Sequence, residues 1–128
     1  MNDDLLNPAA EIIQHCQSLL EETATLSEDQ RQCIEMTAHA AKLFSDNVAL
    51  MADIIGRMRN DREFANISHE FRGPIMPMIG YSEIILKRLF GTLNDSQQEH
   101  LTQINQTAKS LLELVNSIMD GAKQIPDN

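Results

Sequence analysis

The residues best suited to chemistry lie in one run, Phe64-Ala65-Asn66-Ile67-Ser68-His69-Glu70-Phe71-Arg72-Gly73-Pro74. A neutral imidazole near pH 7 offers an unprotonated nitrogen as a nucleophile, and a carboxylate and a guanidinium stand beside it here. Phe64, Ile67, Phe71, Ile75 and Met78 recur every three or four residues, which predicts one buried helix face. His69 falls off that stripe, about 100° from Ser68 and about 200° from Ile67 around the helix, and is expected to reach water. Pro74 has no N–H, so the carbonyl of Glu70 loses its helical partner, and Pro77 does the same to Gly73. Gly73 and Gly80 loosen the stretch further. An exposed imidazole thus sits beside a weakened helix. Taken alone, His69 reads as an ordinary solvated histidine and Arg72 as a surface cation paired with a helix acid.

The elements that must carry this run are helical. The chain has 128 residues, enough for one domain, with only 5 glycines and 4 prolines. That scarcity argues against a sandwich or barrel, which needs frequent turn residues. Hydrophobic residues make up 42%, too many for disorder, and aromatics only 4%, so the core is aliphatic. Leu101, Ile104, Ala108, Leu111, Val115 and Ile118 alternate spacings of three and four and predict a helix over about 95–121. Asn94-Asp95-Ser96 supplies capping oxygens and Gly121 a stop. Sixty-seven positions earlier, Ile34, Thr37, Ala41, Phe44, Val48 and Met51 keep the same spacing, continued by Ile55 and Met58. Ser27 and Gln30 fit a capping box at the start of that helix. At an offset of 66, Pro8, Ile12, Ile13, Leu19 and Leu20 match Pro74, Met78, Ile79, Ile85 and Leu86. Thr25-Leu26 matches Thr92-Leu93. The chain therefore reads as two helical hairpins, roughly 5–58 and 60–121, giving a domain division of 1–58 and 59–128. One hairpin cannot bury both its stripes alone, so the expected fold is all-α, a four-helix bundle from two tandem hairpins.

The run around His69 resembles the H-box of two-component sensor histidine kinases. That pattern reads Phe, four variable residues, Ser-His-Glu, an apolar residue, Arg, Thr or Asn, and Pro. Ser68-His69-Glu70-Phe71-Arg72 fits it position by position, while Glu63 stands at the place of the Phe and Phe64 follows it. Ile79-Gly80-Tyr81-Ser82-Glu83-Ile84-Ile85-Leu86 resembles the next turns of the dimerisation and phosphoacceptor domain, and Leu111 to Asp120 the end of its second helix. The resemblance covers about 62–121. It implies phosphorylation of His69, with Glu70 accepting the released proton or holding the ring tautomer. Arg72 would balance phosphate charge, and Pro74 would permit the bend that lets kinase and receiver reach the histidine in turn. Gly73 stands where that pattern has the Thr or Asn that orients water for receiver dephosphorylation, so the resemblance does not imply that activity here. The first copy has lost the box: Asp3 stands opposite His69 and Asn7 opposite Gly73, with only Pro8 kept.

The rest of the sequence narrows the partners. The chain carries 19 acids against 10 bases, net charge −9, which repels phosphate backbones and argues against nucleic acid. No stretch approaches 18 uninterrupted apolar residues and the start is acidic, so a cytoplasmic chain without a membrane span is expected. Cys16 and Cys33 form no metal pattern and read as reduced core thiols, with a disulfide conceivable across the hairpin. His15, His39 and His100 have no motif around them, and Glu35 with His39 reads as a solvated pair. No cofactor and no metal are expected. Nothing up to Asn128 resembles a phosphate-binding loop, so autonomous ATP-dependent kinase activity is not expected. The resemblance implies a receiver domain as partner and a kinase ATP-binding domain in trans as a further donor, with the chain a monomeric pseudo-dimer or a homodimer. The rival from another class is a scaffold that binds and sequesters a response regulator or kinase, with His69 a relic.

Overall fold

The computed structural model describes residues 2–22, 25–57 and 60–123. Five helical segments follow in order: α1 Asn2–Glu21, α2 Glu28–Ile55, α3 Asp61–Arg72, α4 Ile75–Leu86 and α5 Asp95–Lys123. There is no strand among the described residues. The stripe continuation at Met58 and the division between 58 and 59 lie outside those residues. No described helix is long and apolar enough to cross a membrane.

The helix starts follow from local chemistry. Ser27 caps α2: the Gln30 N–H donates to Ser27 Oγ at 3.1 Å, and the Ser27 N–H to Gln30 Oε1 at 2.9 Å. Asn94 does the same for α5, receiving the Gln97 N–H at 2.7 Å while its own N–H donates to Gln97 Oε1 at 3.0 Å. Asn60 Oδ1 accepts the Glu63 N–H at 2.9 Å and opens α3. At the end of α4, Arg88 takes φ 62 and Gly91 φ 140, and these left-handed residues turn the chain back towards α5. Gly91 is required twice over, by its φ and by the Gln30 amide that an added Cβ would meet at 3.1 Å.

Packing then places four helical arms around one core. α1 lies against α2 and α5, and the α3–α4 arm lies against the same two helices from the opposite corner. The matched stripes meet inside: Ile34 and Leu101, Thr37 and Ile104, Ala41 and Ala108, Phe44 and Leu111, and Val48 and Val115 are all buried. Ile12 and Met78, and Leu19 and Ile85, are fully buried partners of the shorter arms. The match drifts at the far end. Met51 is buried, but Ile118 is only half-buried and Met119 takes the inner position. A straight helix turns 3.6 residues per turn against a 3.5-residue repeat, so the inner position slips over several heptads.

The two hairpins are also laced at their turns. Gln30 and Gln97, each 1% exposed, are buried amides at equivalent positions. Gln30 Nε2 donates to the Thr92 carbonyl at 3.2 Å, and Gln97 Nε2 donates to Thr25 Oγ1 at 2.6 Å. Ser27 Oγ donates to the Phe90 carbonyl at 2.8 Å. Each cap therefore reaches from the start of one long helix into the turn of the other hairpin. The polar atoms buried there are all paired, which keeps the amides from costing stability.

Cys16 and Cys33 are free, buried thiols. Burial pushes the Cys16 thiol up to about 12 from an ordinary 9.0. Burial and the Asp29 carboxylate push Cys33 upward too. The folded chain thus holds the Cys16 proton longer than the unfolded chain does. The stability this adds is fully present below about pH 9 and is lost as pH rises from there towards about 12. In urea melts, Cys16→Ser should show a shallower fall in stability between pH 9 and 11 than the natural chain; an identical slope would disprove the thiol's contribution. A second expectation concerns the core. Deleting residues 1–58 should leave the α3–α4–α5 stripes uncovered and force self-association, read by sedimentation. A truncated chain that stayed monomeric, folded and equally stable would contradict the shared core.

Candidate functional site

His69 lies in the last turn of α3, and both it and Glu70 are exposed, whereas Ile67, Ser68 and Phe71 are buried. The stripe therefore folds as its spacing predicts, except that Phe64 is only half-buried. Two anchors hold this turn. On one side the Phe71 ring stacks on Phe44 of α2, with centroids 5.7 Å apart and planes 24° apart. On the other, Arg72 Nε donates to Asn116 Oδ1 of α5 at 2.6 Å, and its terminal nitrogen donates to Ser68 Oγ. Arg72 is half-buried by this arrangement. Its first role here is to fasten α3 to α5, a link that sequence spacing did not announce because Asn116 lies 44 residues away.

Beyond Arg72 the helix bends. The Gly73 N–H still donates to the His69 carbonyl at 2.9 Å, but Pro74 has no proton to give the Glu70 carbonyl. Gly73 (φ −50, ψ −50) and Pro74 (φ −68, ψ −21) keep right-handed geometry, so the arm is interrupted between α3 and α4 without reversing. No side chain caps α4 at Pro74. Pro8 sits inside α1 with no such interruption, because no glycine precedes it and no second proline follows three residues later. A Cβ at position 73 would meet the His69 carbonyl at 3.2 Å, so any side chain there presses on the turn that carries the histidine.

A groove of about 380 Å³ opens beside this bend. His69, Glu70, Phe71, Gly73 and Pro74 line one side; Leu43, Phe44, Asn47 and Met51 of α2 line the other. The predicted residues His69, Glu70 and Pro74 thus meet in one groove, while Arg72 stands behind it on the α5 side. No side-chain hydrogen bond engages the His69 ring among the described residues, which leaves its nitrogens open to a ligand. The α2 wall was missing from the sequence reading, since only the packing of the two hairpins brings it to His69. A second unforeseen pairing joins α1 to α5. His15 Nδ1 and His100 Nδ1 lie 2.9 Å apart, so one ring donates and the other accepts, and Glu11 stands 3.7 Å from His15 Nε2. Their 85-residue separation hid it.

Comparison with known proteins gives the family. The model of the His Kinase A (phospho-acceptor) domain matches residues 59–124. The histidine protein kinase DivJ of Caulobacter vibrioides is 39% identical over 62 residues, 48% of this chain and 10% of that protein. An uncharacterized sensor-like histidine kinase of Rhizobium meliloti is 32% identical over 107 residues, 83% of this chain and 18% of that protein. The circadian input-output histidine kinase CikA of Synechococcus elongatus is 41% identical over 56 residues, 44% of this chain and 7% of that protein. The chain spans less than a fifth of the length of each of these relatives. No solved structure matches it. The chain belongs to the histidine kinase phosphoacceptor domain family, and with it to two-component signalling.

The Arg72 link yields a direct expectation. Arg72→Ala should lower stability by about 1–3 kcal/mol, because a charge-assisted bond and the cover of Ser68 are lost together. Asn116→Ala should cost about 1 kcal/mol. A double-mutant cycle in urea should give a coupling above about 0.5 kcal/mol; a coupling near zero would show that the two side chains act independently.

Proposed function

We propose that the protein is a phosphotransfer bundle in which His69 takes a phosphoryl group and hands it to the aspartate of a receiver domain. The observation that carries this reading is the exposed, unengaged His69 ring at the lip of a groove, within the Ser68-His69-Glu70-Phe71-Arg72 run. The donor is a phosphorylated receiver aspartate or a kinase ATP-binding domain acting in trans. In the transfer, an imidazole nitrogen forms a bond to phosphorus as the bond to the aspartate oxygen, or to the departing ADP, breaks. Glu70 takes the ring proton or holds the ring in the tautomer that leaves the attacking nitrogen free. Pro74 and Gly73 supply the bend through which donor and acceptor reach the same ring. Arg72 serves this step by fixing the His69 turn through Asn116 and Ser68. This chain itself contributes no cofactor or metal to the step.

The same proposal assigns residues 1–58 to a degenerate copy of the hairpin formed by 59–128. The reciprocal Gln30 and Gln97 bonds and the matched core pairs support a common origin for the two hairpins. The first hairpin, with Asp3 opposite His69, supplies two of the four arms and no phosphoacceptor, so the working unit is a monomeric pseudo-dimer in the cytoplasm.

Purified chain incubated with phosphorylated receivers should acquire acid-labile, base-stable label. His69→Gln should abolish it while leaving the melting curve unchanged, since the ring faces water. Glu70→Ala should slow labelling ~10²–10⁴-fold, the usual contribution of general acid–base help. Substituting His39 should have no effect. If His69→Gln still performed the protein's cellular task, a sequestering scaffold would be the better reading.

A further inference from the structure

Two imidazoles face one another where the first hairpin's short arm meets the second hairpin's long helix. His15 of α1 and His100 of α5 hold their Nδ1 atoms 2.9 Å apart, with ring centroids 5.1 Å apart and planes at 60°. Both rings are half-buried. Two further bonds tie the same junction nearer the turns: Gln97 Nε2 donates to Thr25 Oγ1 at 2.6 Å, and Ser96 Oγ to Glu22 Oε1 at 3.3 Å. The opposite junction, α4 on α2, allows a comparison. At the offsets of 66 and 67 that align the hairpins, His15 corresponds to Tyr81 of α4 and His100 to Cys33 of α2. One junction thus carries two imidazoles where the other carries a phenol and a thiol.

That difference is chemical, because only imidazole gains a charge between about pH 8 and about pH 5. A phenol and a thiol stay neutral in acid, and burial and the Asp29 carboxylate make Cys33 hold its proton more firmly still. The facing histidine nitrogens can share one proton, with one ring donating its N–H and the other accepting with its lone pair. A first added proton leaves this bond intact, since the charged ring donates to the neutral one. A second puts two N–H groups and two positive charges against each other, and the bond is lost. The charges around the pair answer only one of the two. Glu11 of α1 stands 3.7 Å from His15 Nε2 and is the only acid within 4.0 Å of either ring among the described residues. On α5, Asp95 and Glu99 line a depression that contains neither ring. Glu83 of α4 is engaged by Lys109, and Arg88 by Gln98.

We infer that His15 and His100 form an acid-sensitive clasp between the two hairpins: a proton on each facing nitrogen releases α1 from α5 and leaves α4 on α2. The closed clasp holds one proton fewer than the two separate rings of the unfolded chain take up in acid. The unfolded chain therefore binds more protons, so the clasp's contribution to stability is present when the rings are neutral and is lost as pH falls through the imidazole range. Acid acts on one corner of the bundle. The His69 groove lies at the other, between α2 and the α3–α4 arm, so the device is separate from the phosphotransfer reading and does not depend on it.

Amide hydrogen exchange of the full chain tests this, because it reads the two short arms separately. Protection factors, corrected for the intrinsic effect of pH on exchange, are compared at about pH 7.5 and about pH 5.5, either side of the imidazole range. Protection of α1 around His15 should fall about tenfold or more in acid, while that of α4 around Tyr81 should change less than about threefold. His15→Tyr with His100→Cys gives this junction the residues of the other one and should remove the α1 response. His100→Gln, which keeps a donor and an acceptor but cannot take a proton, should remove it too and serves if the double variant fails to fold. An α1 arm whose protection is the same at both pH values overturns the clasp. So does an equal loss in α1 and α4, or an acid response of α1 that survives in a folded variant lacking either ring.

Discussion

Each hairpin in this protein presents apolar stripes that only the other hairpin can cover, and that constraint shapes everything above it. Because α1 and the α3–α4 arm occupy opposite corners, each long helix is wrapped by one arm from each hairpin. The site inherits this arrangement. His69 belongs to the second hairpin, but the wall facing it is α2 of the first, joined through the stacked Phe44 and Phe71 rings. A hairpin taken alone would keep the histidine and lose the groove.

The structure around His69 is stiff below and yielding above. Below, the buried Ile67 and Phe71 and the Arg72 bonds to Ser68 and Asn116 fix the turn on both long helices. Above, the Glu70 carbonyl has lost its helical partner and Gly73 brings no side chain to brace the bend. The proposed transfer, in which the ring meets two partners in turn, would benefit from this division. Its position is held by side chains beneath it, while the backbone just beyond it has few bonds to break when the arm flexes.

Much of the fold was readable from sequence because it is written in local rules. The heptads as far as Val115, the Ser27–Gln30 box, the Asn94 cap and the break at Pro74 all act within a few residues and appear where expected, whereas α5 runs past the expected stop at Gly121 to Lys123. The exposure of His69 follows from the same wheel. What could not be read depends on distant partners. Gln30 and Gln97 were visible as capping residues, but their burial and their bonds to Thr92 and Thr25 require both turns to lie at one end of the bundle. Arg72 read as a surface cation paired with a helix acid, whereas its partner in the fold is Asn116, 44 residues away. His15 and His100 meet across α1 and α5, and no spacing rule relates them. The shift from Ile118 to Met119 marks where a strict heptad overstates the regularity of a real helix.

The short connection between Ile55 and Asp61 has a consequence of its own. Tethering two hairpins by a few residues holds each at an effective concentration of order millimolar towards the other. The bundle therefore stays assembled at any dilution, however few copies a cell contains. It also shields the pairing from traffic: a free hairpin of a related kinase would have to displace a covalently attached neighbour to enter. A chain built this way is insulated from subunit exchange with its relatives. A change in one half also enters the assembly once, where in a symmetric dimer it would enter twice.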